Sequence, residues 1–174
     1  RVVGRGSAAT AFSNLELLVS DGTTAGTFSI SIYPGPEGSS PSNFVGLEGR
    51  AFFEARDQVQ GSQLFVTDGT PAGTQILTAG DFTSGPRLEG IVAFGDGVAF
   101  IQRGSFDTKT LRVSDGTPSG TQQLASFQGS SDTQMFALQD RFYFSWTPFG
   151  EELWTSDGTQ AGTVKVPGTG LGAL

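Results

Sequence analysis

Leu17-Leu18-Val19-Ser20-Asp21-Gly22-Thr23-Thr24-Ala25-Gly26-Thr27 is the first of four copies of one phrase. It returns as Leu64-Phe65-Val66-Thr67-Asp68-Gly69-Thr70-Pro71-Ala72-Gly73-Thr74, and as Leu111-Arg112-Val113-Ser114-Asp115-Gly116-Thr117-Pro118-Ser119-Gly120-Thr121. The last copy is Leu153-Trp154-Thr155-Ser156-Asp157-Gly158-Thr159-Gln160-Ala161-Gly162-Thr163. The aspartates stand 47, 47 and 42 residues apart. A period of this length marks a propeller blade or another stacked unit, because a single such unit cannot bury both of its apolar faces.

Around each phrase the short apolar runs follow one order. In the second repeat they are Asn43–Leu47, Arg50–Ala55, Gln63–Thr67 and Thr74–Thr78. The third repeats them at Gly90–Phe94, Val98–Gln102, Thr110–Val113 and Thr121–Leu124. Runs this short, bounded by Gly, Asp, Ser or Pro, read as strands, here called A, B, C and D. Glu48-Gly49, Gly95-Asp96-Gly97 and Gln139-Asp140 supply tight A–B turns, since Gly and Asp tolerate the positive φ of hairpins. The phrase itself is the C–D turn. Asp21, Asp68, Asp115 and Asp157 are expected to accept hydrogen bonds from following amides, and Gly22, Gly69, Gly116 and Gly158 to take left-handed conformations.

The expected fold is all-β: a β-propeller or propeller segment of four four-stranded antiparallel blades in one repeat domain, 1–174. The blades fall near 1–32, 43–79, 88–126 and 134–167, with strands A lining the axis. Four blades close a small ring, form part of a larger one, or make half of an eight-bladed ring from two copies. Phe runs such as Ala51-Phe52-Phe53 and Phe142-Tyr143-Phe144 lack clean alternation, as burial on both faces requires. The first repeat reads as the weak one, with Ser7-Ala8-Ala9-Thr10-Ala11 set against the phenylalanines of the others. The start, Arg1 to Ser7, has neither an initiator Met nor a signal-peptide apolar stretch, which reads as a processed or excised product. The end, Val166 to Leu174, reads as a connector running into a new strand A.

Composition narrows the chemistry. A net charge of −7, with only two lysines, disfavours nucleic acid, whose phosphates need a basic face. The chain has no Cys and no His, so disulfides, thiolate chemistry, histidine-ligated metals and His-dependent nucleophilic catalysis are excluded. No apolar run approaches the length of a membrane-spanning helix. Each phrase offers one carboxylate and no alternating acidic series, so turn capping is expected rather than calcium binding, with no metal and no cofactor. Glu151 and Glu152 are adjacent on a strand and point to opposite faces, a poor general acid/base pair. Arg5, Arg50 and Arg141 are read as sharing one slot at the start of strand B, a repeated rim charge rather than an anion clamp.

The phrases resemble the bacterial repeat written E-L-W-x-x-D-G-T-x-x-G-T. The fourth copy, with Glu152-Leu153-Trp154 before Asp157-Gly158-Thr159, fits every fixed position. The first has Leu18 for Trp, the second has Gln63 and Phe65, and the third departs most, with Thr110 and Arg112. That resemblance implies a secreted or surface-attached bacterial protein with propeller-like arrays. The phrase also looks like the Asp-box hairpin of sialidase-type propellers, where it is structural.

The expected function is a non-enzymatic structural, adhesive or protein-interaction module, extracellular or at the bacterial cell surface. A protein partner or self-association is expected, with a glycan possible and with neither nucleic acid nor membrane insertion. The alternative is a carbohydrate-binding propeller or a degenerate glycoside hydrolase. Tyr33, Trp146 and Phe149 fall in expected loops or at their edges and form the candidate ligand or partner face, because aromatics there stack on sugars or anchor proteins. The bland alternative has them folded inward over the blade edge.

Overall fold

A computed structural model describes residues 2–7, 14–58, 61–78, 87–129, 133–146 and 152–168. The described residues form four antiparallel sheets in two compact units, Arg1–Pro86 and Arg87–Leu174. In the first unit, β1 (Val2–Ser7), β2 (Leu15–Ser20) and β3 (Phe28–Ile30) make one sheet. Its neighbour contains β4 (Ser42–Leu47), β5 (Arg50–Asp57), β6 (Gly61–Thr67) and β7 (Gln75–Ile76). The second unit holds a sheet of β8 (Arg87–Phe94), β9 (Gly97–Arg103), β10 (Thr108–Ser114) and β11 (Gln122–Gln128). The last sheet is β12 (Met135–Leu138), β13 (Arg141–Trp146), β14 (Glu152–Ser156) and β15 (Val164–Lys165). Within every sheet spatial order follows chain order, the meander expected of a blade.

Register shows which strand of the repeat each one is. The residue before each signature Asp faces the second strand: Ser20 opposite Val2, Thr67 opposite Ala51, Ser114 opposite Val98, Ser156 opposite Phe142. β1 is therefore strand B of its repeat, and the first sheet has three described strands where four were expected. No described residue precedes β1 to form a strand A. The Phe slots of the other sheets are filled in the first by Val3 and Gly4, and residues 8–11 lie outside the described residues. Register also corrects the arginine slot. Arg50 and Arg141 open their strands, but Arg5 pairs with Leu17, the slot of Glu54, which pairs with Leu64.

Each sheet has a front and a back, set by the alternation of side chains along a strand. The front of the third sheet carries Val92, Phe94, Ala99, Ile101, Leu111 and Val113, and it packs on Met135, Phe142, Phe144, Trp146 and Trp154 from the back of the fourth. Phe94 meets Phe142 edge-on with ring centroids 4.9 Å apart, a favoured aromatic geometry. The first unit repeats the arrangement. Val3, Leu17, Val19 and Ile30 on the front of the first sheet pack against Phe44, Phe53, Ala55 and Phe65 on the back of the second. Stacking front on back is how the Phe-rich strands bury their side chains without clean alternation.

Candidate functional site

The Asp-Gly-Thr turn has the same wiring in all four copies. In the second, Oδ1 of Asp68 accepts from the Thr70 amide at 2.8 Å and from the Thr70 hydroxyl at 2.7 Å. The Gly73 amide donates to Thr70 Oγ1, and the Thr74 hydroxyl donates to the Thr70 carbonyl. Thr67 and Thr74 join their hydroxyls across the mouth of the turn at 2.7 Å. Gly69 holds φ of 85°, which L side chains rarely adopt. A Cβ on Gly73 would collide with the Asp68 carboxylate. The other carboxylates make the equivalent pairs to Thr23, Thr117 and Thr159. At Asp157, the Thr159 hydroxyl and then its amide hold the carboxyl below its ordinary pKa, because both favour the charged form.

The residue five before each Asp has a second repeated role, unrecognised in the sequence. Buried Glu16 accepts from the Ile32 and Tyr33 amides and from the Ser39 hydroxyl, tying down the chain that leaves β3. Gln63 accepts from the Thr78 hydroxyl beyond β7. Glu152 accepts from Lys165 Nζ on β15 and from the Trp154 indole, and these bonds, Lys165 first, draw its pKa down. Thr110 breaks the series. The Glu or Gln at this position thus anchors strand D or its exit in three of the four repeats.

The second unit concentrates charge and exposed aromatic surface at one loop end. Lys109 on β10 is 1% exposed, and its Nζ pairs with Glu89 at 2.5 Å and donates to Thr133 at 3.0 Å. Arg103 at the end of β9 reaches both Glu89 and Asp107. Between them runs Gly104-Ser105-Phe106-Asp107, where Phe106 and Asp107 hold φ of 56° and 55°. The Gly129 amide donates to the Asp107 carbonyl, fastening this B–C loop to the chain leaving β11. Phe106 stands 96% exposed. A non-Gly residue in left-handed backbone costs on the order of 1–3 kcal/mol, and such strain clusters at binding sites.

Phe106 was missed in the sequence, where the only signal was an aromatic between two strands in a Gly-Ser-Phe-Asp turn. Trp146 is the last residue of β13, opposite Glu152, at the edge of the loop that follows. Its indole folds inward, 4.7 Å from the Phe127 ring, and donates to the Gln128 carbonyl at 3.3 Å. That bond places its edge beside Gly129, at the same loop end as Phe106. Tyr33 is half-buried in the first unit with its amide held by Glu16. Phe149 lies outside the described residues, as do Glu151 and 169–174.

Clefts among the described residues accompany these features. In the first unit, one of about 610 Å³ lies between Val3, Phe44, Arg50, Thr67 and Asp68, and one of about 330 Å³ is lined by Ile30, Ile32, Phe65, Pro71 and Ile76. In the second, a cleft of about 330 Å³ is bordered by Phe94, Asp96, Asp115 and Asp157. Among the described residues no group of three or more His, Cys, Asp or Glu is placed to hold a metal ion.

No family model matches the chain, and no curated protein matches it. Solved structures do. The chain is similar to the β-propeller of a prolyl endopeptidase, with a TM-score of 0.56 and 14% identity over 90% of this chain and 23% of that one. It also aligns with an alpha-L-arabinofuranosidase from Clostridium thermocellum at a TM-score of 0.43 and 11% identity, covering 92% of this chain and 63% of that one. The fold is all-β, built of propeller blades. At such identities the likeness speaks of fold alone.

Proposed function

We propose that the chain is a non-enzymatic interaction module, that it belongs with the secreted or surface-attached bacterial E-L-W-x-x-D-G-T repeat proteins it resembles, and that Phe106 anchors a protein partner. One observation carries this reading: a fully exposed phenylalanine kept in left-handed backbone by the Arg103–Asp107 bridge and the Gly129 bond. An aromatic presented on a braced loop loses little entropy on docking and is the usual kind of interface anchor. The signature carboxylates support a scaffold role, since each spends an oxygen on its own turn.

Selection of displayed peptides against the purified chain tests the proposal. Selected peptides should bind Phe106→Ala at least about thirtyfold more weakly, the loss of a 2 kcal/mol anchor. The alternative is a carbohydrate-binding propeller, favoured by the Trp146 edge at the same loop end. Glycan-array binding abolished in Trp146→Ala and retained in Phe106→Ala would replace the protein-partner reading with that one. Turnover of a fluorogenic glycoside, lost on changing a single carboxylate, would overturn the non-enzymatic assignment.

A further inference from the structure

Strand registers let the four sheets be superimposed slot by slot, and the comparison isolates two faces. Phe136, Leu138, Tyr143, Thr155 and Val164 on the front of the fourth sheet occupy the slots of Val92, Phe94, Ala99, Val113 and Gln122 in the third. In the third sheet that face is packed on a neighbour. In the fourth it is open: Phe136 is 51% exposed, Leu138 58% and Val164 46%. Phe136 stacks on Tyr143 with ring centroids 5.1 Å apart, so the surface carries a stacked aromatic pair beside a leucine. An apolar patch assembled from neighbouring strands marks an interaction surface, unlike single scattered residues.

The other open face is the back of the first sheet. It presents Gly4, Gly6, Leu18 and Ser29, in the slots that hold Phe144, Trp146, Trp154 and Lys165 in the fourth. A Cβ built on Gly4 meets nothing within 4 Å among the described residues.

The shapes of the two open faces match. Within the second unit a front that sets the small Val92, Ala99 and Val113 beside Phe94, Ile101 and Leu111 accepts a back made of Phe142, Phe144 and Trp154. The front of the fourth sheet places Phe136 and Tyr143 in the slots of Val92 and Ala99, and these larger rings call for smaller residues opposite, because interiors pack to uniform density. The glycines of the first sheet supply them. We infer that the front of the fourth sheet docks on the back of the first sheet of a second copy of this chain, head to tail, by the same front-on-back contact that each unit already contains. Such heterologous contacts close into rings or extend into arrays. The surface is separate from Phe106, so failure of either proposal leaves the other standing.

Sedimentation velocity on the purified chain, from low to high micromolar concentration, tests this. The expected species has at least twice the 18.1 kDa mass of one chain and dissociates on dilution. Phe136→Asp and Gly4→Phe should each require at least about tenfold more protein to assemble, a 1.4 kcal/mol loss. Both positions are open, so both variants should keep the wild-type circular dichroism, and Val164→Lys replaces Phe136→Asp if that variant does not. Mixing Phe136→Asp with Gly4→Phe should restore a two-chain species, because one chain retains an intact back and the other an intact front. A single-chain mass at every concentration overturns the proposal. So does unchanged assembly of Phe136→Asp, or a mixture that stays monomeric.

Discussion

At Asp68 one carboxylate oxygen holds both the amide and the hydroxyl of Thr70, so a single side chain closes the C–D turn. Asp68→Ala should lower stability by about 1 kcal/mol, the usual loss when a capping oxygen is removed. Gly69→Val should lower it by more, since a β-branched residue at positive φ is strained. Denaturant melts with and without millimolar calcium check both, and a wild-type midpoint that climbs with calcium would make the aspartates ligands instead of caps. Asp157 adds a pH signature. Its folded pKa lies below the ordinary value, so its stabilisation is present above the usual carboxylate range and disappears as pH falls through the folded value. Wild-type melting temperature should therefore drop more steeply below about pH 4 than that of Asp157→Asn, and parallel curves would count against the cap. These residues were legible because donor, acceptor and glycine lie within seven positions of one another. Phe106 was not, because its left-handed backbone is braced through Gly129 beyond β11, which no local pattern links to it.

Strands were the most readable elements, since turn residues bracket each apolar run, whereas the identity of β1 was not. Only its pairing of Val2 with Ser20 reveals it as a strand B. The hairpin between β9 and β10 shows what a pattern of apolar residues leaves out. Lys109 is the second residue of β10, flanked by Thr108 and Thr110, yet it is buried against Glu89. Lys109→Met should destabilise by about 3 kcal/mol, because it leaves the buried Glu89 carboxylate only the more distant Arg103, while Lys109→Met with Glu89→Leu should recover most of the loss. Chemical denaturation of the two variants decides, and equal losses would mean that the pair is not coupled. On the same hairpin, Phe106→Gly should raise stability by about 1 kcal/mol, since glycine occupies left-handed backbone freely. If it also abolishes peptide binding, strain and recognition share one residue. A fall in stability would show that Phe106 is held by packing and is not merely presented.

For the whole molecule, the period of the phrase foretells four sheets but not their grouping into two compact units, each with its own aromatic cluster. The grouping follows from which residues fill equivalent slots: Phe53 and Phe65 meet Leu17 and Val19 in one unit, and Phe142 and Phe144 meet Ala99 and Leu111 in the other. No repeat consensus carries that information, because the consensus records the turn and its flanks, whereas grouping depends on side-chain volume at positions that vary between copies. The two clusters share no residue, so damage to one should stay in its own unit. Phe144→Ala removes a fully buried ring and should cost about 3–5 kcal/mol. Hydrogen exchange read by mass spectrometry should then show lost protection along β8 to β15 and near-native protection along β2 to β7, as separate cooperative units require. Equal loss of protection in all the strands would mean that the units unfold together, and that contact between neighbouring sheets propagates stability along the entire repeat.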